Sequence, residues 1–151
     1  MNGPAACVLC ANDGGVLVHR AALWRVIRAE DANFPAFYRV IWSEHVAEWT
    51  DLPPVHRSLL MQTVAKVETV LREVLQPTKI NLASLGNVVP HLHWHVIARF
   101  DWDSHFPQPV WAAPQRVVAP AAVARLAVSL AALDAHVAGA LAVSAGASGG
   151  D

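Results

Sequence analysis

The segment His91-Leu92-His93-Trp94-His95-Val96-Ile97 alternates imidazole with bulky apolar side chains. A period of two is that of an extended strand, whose successive side chains point to opposite faces. Three imidazoles therefore share one face, and Leu92, Trp94 and Val96 face the opposite, buried side. Same-face residues on a strand stand about 6.5–7 Å apart, so three rings can line a groove and touch different oxygens of a polyphosphate.

The clearest helix runs from Pro54 to Gln76. Leu59, Leu60, Thr63, Val64, Val67, Val70, Leu71, Val74 and Leu75 recur three and four apart, with Arg57, Gln62, Lys66, Glu68, Arg72 and Glu73 on the other side. Asp51 and the Pro53-Pro54 pair mark its start, and Pro77 marks its end. A hairpin of Val16–Val18 and Leu23–Ile27 follows the Gly14-Gly15 turn, and further strands are expected over Phe37–Trp42, Lys79–Leu85 and Leu92–Phe100. Asp101–Gln115 reads as an ordered loop. From about Pro120, Val123, Leu126, Leu130, Leu133, Val137 and Leu141 outline a second amphipathic helix. The expected fold is α+β, an antiparallel sheet of about five strands packed on one long helix, plus a C-terminal helix. One domain is expected over 1–118, with the C-terminal helix of 119–143 packed on it and a flexible tail over 144–151.

Composition narrows the function classes. Of 151 residues 54% are apolar and 15% charged, which excludes a disordered or collagen-like chain. Eleven Lys plus Arg against twelve Asp plus Glu give a net charge of −1, so no broad cationic face serves duplex nucleic acid or anionic lipid. An anionic ligand must be met by a local site. The Ala-rich stretch Ala119–Val143 contains Pro120, Arg125, Asp134 and His136 and is a poor membrane span. Two cysteines, Cys7 and Cys10, are too few for a secreted disulfide scaffold, and a reducing cytoplasm is the expected compartment.

The alternating histidines admit two chemistries. A His-x-His pair is half of a hydrolytic zinc site, needing a third ligand elsewhere. Alternatively the middle imidazole is a nucleophile, since neutral histidine attacks phosphorus well near pH 7. Composition leaves both open.

His91 to Ile97 resembles the motif of the histidine triad (HIT) superfamily, in which three histidines alternate with apolar residues on a strand. Lys79-Ile80-Asn81-Leu82, the Gly86 turn, Pro90 and Arg99 look like the family's neighbouring strand, phosphate-side turn and motif strand. Pro35 to His45, with Val46 and Asp51-Leu52 after it, is similar to the stretch that leads through a histidine into the long helix. The resemblance covers roughly Cys7 to Arg99 and leaves the C-terminal helix outside. It implies a HIT-like fold, a homodimer, and a diadenosine tetraphosphate hydrolase-like activity on a nucleotide substrate. His93 would attack the α-phosphorus of a dinucleoside polyphosphate or nucleoside phosphoramidate, and water would resolve the nucleotidyl-histidine. The alternatives are a nucleotidyltransferase using the same intermediate and a non-catalytic nucleotide- or metal-binding module.

The resemblance also implies roles. His95 and His91 would donate hydrogen bonds to phosphoryl oxygens, and the His91 carbonyl would hold the His93 ring with its attacking nitrogen free. Asn81 would contact the α-phosphate. Val88 stands where several family members carry a polar group that assists the leaving group, with Asn87 its nearest polar neighbour. Glu30 or Asp31 would meet the ribose hydroxyls, at a shorter spacing to Pro35 than is common in the family. Cys7 and Cys10 can hold one edge of a tetrahedral zinc ion; His45 and His91 would complete a structural site that the chemistry itself does not require. The competing reading is two reduced cysteines near the N-terminus. Trp24, Trp42, Trp49 and Trp94 fit the core or its edge, and His19, His56 and His136 read as surface residues. His105 and Trp111 read as loop packing, the other reading being closure over a base. Arg99, at a strand end, is expected to be solvated, the other reading being a balance to phosphate charge.

Overall fold

The computed structural model describes residues 4–143; the expected tail, 144–151, lies outside them. A 3-10 turn (Pro4–Ala6) leads into a single helical turn, α1 (Val8–Ala11). β1 (Val16–Arg20) and β2 (Trp24–Arg28) form a hairpin, and β3 (Phe37–Trp42) pairs with β2. After a 3-10 turn at Trp49–Asp51 come α2 (Pro54–Leu75), β4 (Lys79–Ala83) and β5 (His93–Arg99). A 3-10 turn (Ala122–Arg125) and α3 (Leu130–Ala142) follow. The five strands make one antiparallel sheet in the order β1-β2-β3-β5-β4.

Directly opposed residues share a face. Ile27, Arg39, His95 and Ala83 form one row across the sheet, and Arg25, Ile41 and His93 form the next. The opposite face carries Val26, Tyr38, Val40 and Val96, buried against Leu60, Val64, Val67 and Leu71 of α2. Leu133, Val137 and Leu141 of α3 complete this core. The helix-covered side is therefore mostly apolar filling, and the histidine-bearing face is left for the N-terminal segment and the loops.

The helix α2 begins with Pro54 in its first turn and stops at Gln76, whose φ of 48° is left-handed, just before Pro77. The C-terminal helix starts later than expected. Residues 122–125 form a 3-10 turn, and α3 begins only where the Ser129 hydroxyl accepts the backbone N–H of Ala132 at 3.1 Å. Asp134 on α3 accepts hydrogen bonds from Arg28 Nε at 2.9 Å and from the Tyr38 hydroxyl at 2.6 Å, tying this helix to β2 and β3. No helix of the described residues is long and apolar enough to cross a membrane.

Candidate active site and metal centre

Strand β5 begins at His93, one residue after the expected start at Leu92, which leaves His91 outside it and decides where the three imidazoles go. His93 and His95 stay on the open face with their rings 4.9 Å apart, edge to face. They line a cleft of about 580 Å³ whose other walls are Arg39, Trp111, the β4–β5 connection from Leu85 to Val89, and Val8, Leu9, Asn12 and Gly14. Gly14 is favoured there. Its φ of 89° is a conformation that side chains with a Cβ rarely adopt, and an added Cβ would lie 2.6 Å from Leu9 Cδ2 and push that side chain aside. Arg25 holds that segment down, donating to the carbonyls of Leu9 at 2.7 Å, Asn12 at 3.1 Å and Asp13 at 3.0 Å.

His93 Nδ1 lies 2.6 Å from the His91 carbonyl oxygen. A carbonyl only accepts, so the ring proton is on Nδ1 and Nε2 keeps its lone pair. Ser84 Oγ donates to the His93 carbonyl at 2.8 Å and fixes the backbone beneath the ring. Burial pushes the pKa of His93 down, although the His91 hydrogen bond opposes this, and the ring is neutral at pH 7. His95 goes further down, to about 3, through burial first and then the neighbouring charges of His93 and Arg39.

His91 corrects the expectation of a phosphoryl contact. Its side chain is 0% exposed and both ring nitrogens are taken. Nε2 donates to the Trp42 carbonyl at 2.6 Å, leaving Nδ1 unprotonated and facing Cys7 Sγ at 3.4 Å and Cys10 Sγ at 3.5 Å. His45 Nδ1 lies 3.4 Å from Cys10 Sγ, and the donor atoms of Cys7, Cys10, His45 and His91 all lie within 4.8 Å of one another. A tetrahedral zinc ion with ordinary Zn–S and Zn–N bonds implies donor separations of about 3.3–3.8 Å, and the Cys7–His91, Cys10–His91 and Cys10–His45 contacts of 3.4, 3.5 and 3.4 Å fall in that range. The Trp42 carbonyl also supplies the outer hydrogen bond that orients a ligating imidazole. These four side chains fit a closed structural metal site, as the cofactor expectation holds.

The remaining expected residues divide. Asn87 lines the cleft. Asn81 is on the histidine face, but its Oδ1 accepts from Arg99 Nη1 at 2.8 Å. Glu30 is exposed and outside the cleft, and Asp31 Oδ1 caps the N–H groups of Asn33 at 2.9 Å and Phe34 at 3.3 Å. Trp111 does stand over the site, 55% exposed and 5.5 Å from the His95 ring. His105, by contrast, is buried against Phe34. Arg99 is not solvated: it pairs with Asp103 at 2.8 Å, both side chains 2% exposed, and donates to the Gln108 carbonyl at 2.7 Å. It thereby folds the loop that carries Trp111. Among the other histidines, His136 is exposed, while His56 is half-buried against Trp42.

Residues 14–102 match the HIT domain. The chain belongs to the HIT family. A histidine triad protein from Bradyrhizobium japonicum is 33% identical with a TM-score of 0.62, over 71% of this chain and 81% of that one. A histidine triad protein from Marinobacter aquaeolei has a TM-score of 0.68 at 23% identity, over 87% of this chain and 91% of that one. A zinc-bound histidine triad family protein from Mycobacterium smegmatis has a TM-score of 0.61 at 19% identity, over 96% of this chain and 99% of that one. No curated protein sequence matches significantly. In this HIT protein the residue that sequence reasoning missed is Arg39. Its signal was there: it is the lone charge in the otherwise apolar run Phe37-Tyr38-Arg39-Val40-Ile41-Trp42.

Proposed function

We propose that this HIT protein is a nucleotide phosphohydrolase that cleaves at an α-phosphate through a nucleotidyl-His93 intermediate. The observation that carries the reading is the 2.6 Å contact of His93 Nδ1 with the His91 carbonyl, which commits the proton to one ring nitrogen and frees the other beside the cleft. In the first step the Nε2 lone pair attacks the α-phosphorus, and the bond to the leaving group breaks, its electron pair and a solvent proton going with that group. Positive charge then grows on the imidazole, and the Nδ1–H···O=C bond to His91 strengthens as it does. His95 donates to a phosphoryl oxygen. In the second step water attacks phosphorus, the P–N bond breaks, and the nucleoside monophosphate leaves with His93 restored and a proton released. Asn87 lines the cleft and would face the phosphates, and Asn81, whose Oδ1 is held by Arg99, would offer its amide NH₂ to them. Apolar Val8, Leu9 and Val89 with Trp111 suit a base.

The four donors at Cys7, Cys10, His45 and His91 would hold a structural zinc ion, which would brace His91 and supply no bond-making of its own. The homodimer belongs to the same reading and is checked by light scattering. Dinucleoside polyphosphates and nucleoside phosphoramidates are the candidate substrates.

The test is a single-turnover incubation with diadenosine tetraphosphate labelled at the α-phosphates, quenched in denaturant. Label should remain on the wild-type chain and be absent from His93→Ala. Product formation with no trapped label, abolished by chelation and restored by zinc, would instead favour a metallohydrolase. Equal binding by both proteins without product would favour a binding module.

A further inference from the structure

Arg39 lies directly opposite His95 in the β3–β5 register and lines the same cleft. Its Nε is 3.4 Å from His95 Nδ1, and its guanidinium carbon stands 5.1 Å from the Phe37 ring centre, which supports the side chain from below. A guanidinium has N–H donors and no acceptor, so the imidazole nitrogen that faces it must offer a lone pair. Protonating that nitrogen would put two cations in contact. Among the described residues neither Nη group makes a hydrogen bond. Arg39 is also the one Lys or Arg among the residues lining the cleft.

We propose that Arg39 is a positioning residue for His95 and an oxyanion ligand: Nε–H fixes the ring as its Nε2–H tautomer, and the Nη groups bind a phosphate oxygen of the substrate. The inference deepens the phosphohydrolase reading and rests on it for the identity of the ligand. The two working histidines are then held in complementary forms by opposite partners. The His91 carbonyl puts the proton of His93 on Nδ1 and frees Nε2 to attack; the Arg39 donor puts the proton of His95 on Nε2 and makes that nitrogen a donor. Rotating either ring or moving either proton would exchange a nucleophile for a donor, so fixing both is part of building the site. Burial pushes the pKa of the Arg39 guanidinium down and the nearby Asp31 opposes this, while the Oδ1 of Asp31 is engaged by the backbone of Asn33 and Phe34.

The test uses the full chain with ¹⁵N-labelled histidine at pH 7, without nucleotide, comparing wild type, Arg39→Leu and Arg39→Lys. The wild type should show His95 with a protonated Nε2 and an unprotonated Nδ1, and Arg39→Leu should show a mixture of tautomers while its amide spectrum stays dispersed. An Nδ1–H form in the wild type, or an unchanged His95 in Arg39→Leu, overturns the positioning role. Calorimetric titration with inorganic phosphate, AMP and adenosine tests the ligand role. The preference for AMP over adenosine should fall about tenfold or more in Arg39→Leu, the size of one charge-assisted hydrogen bond, and return in part in Arg39→Lys. An unchanged preference, or no binding of phosphate or AMP by the wild type, overturns it. The tautomer measurement needs no substrate, so a failure to trap label on His93 would sink the hydrolase while leaving this reading standing or falling on its own result.

Discussion

At the residue scale the site works by keeping imidazoles neutral in a place where charge is costly. His95 shows this most clearly, with a pKa of about 3 set first by burial and then by His93 and Arg39. An unfolded chain has an ordinary histidine near 6.5. Between those two values the unfolded state binds a proton that the folded state refuses, so stability rises with pH across this window and is lost as pH falls from about 6.5 toward 3. Between pH 7 and pH 5 the loss from His95 amounts to about 2 kcal/mol. Urea unfolding at both pH values should show wild type losing more than His95→Gln by roughly that amount. Equal losses in the two proteins would mean that folded His95 accepts its proton near the ordinary pH. The alternation of His91 to Ile97 made His93 and His95 legible, because period two is a property of any strand. It could not say where the strand begins. The ring of His91, just outside β5, therefore turned to the cysteines and not to the cleft, and Arg39 went unread because its partner lies 56 residues away.

At the scale of elements, β1 to β5 and α2 followed from local pattern, since apolar periodicity and flanking prolines report what one segment can bury. Leu71, fully buried on the inner face of α2, is typical of what that pattern locates. Leu71→Ala should cost about 3 kcal/mol, read as a lower urea midpoint with an unchanged slope, whereas exposed Glu73→Ala should change the midpoint by less than about 0.5 kcal/mol. The docking of α3 was less legible. Val123 and Leu126 keep the helical spacing, yet residues 122–125 make only a 3-10 turn and the helix waits for the Ser129 cap. What seats it is Asp134, which accepts from Arg28 and from Tyr38, 106 and 96 residues away in the chain. No local window contains that arrangement. Asp134→Ala would leave a half-buried guanidinium and a buried hydroxyl without their acceptor, at a cost of about 2–3 kcal/mol. Asp134→Asn, which keeps an acceptor, should recover part of this. If both variants unfold at the wild-type urea concentration, the contact contributes nothing and α3 is held by its apolar residues alone.

For the whole molecule, the Cys7, Cys10, His45 and His91 cluster joins three distant parts of the chain: the N-terminal segment, the approach to α2 and the entry to β5. Because the His91 carbonyl orients His93, whatever steadies the His91 ring also steadies the His93 ring two residues on. A structural zinc ion bound by these donors would act on folding and on the site together, and the two effects separate experimentally. Protein purified without chelator should hold zinc in equimolar amount, and Cys7→Ser should hold little. Metal removal should lower the melting temperature by about 10 °C, since about 3 kcal/mol corresponds to that shift in a chain of this size. The sheet and α2 core remain without it, so far-ultraviolet circular dichroism should change little at 20 °C. The label-trapping rate should drop about tenfold and not to zero, because His93 keeps its carbonyl partner even when the ring of His91 is less firmly held. Complete loss of trapping, restored by added zinc, would place the metal in the chemistry itself. Absence of zinc together with an unaltered melting temperature in Cys7→Ser would leave the four side chains as a packed cluster joined by thiol–imidazole hydrogen bonds.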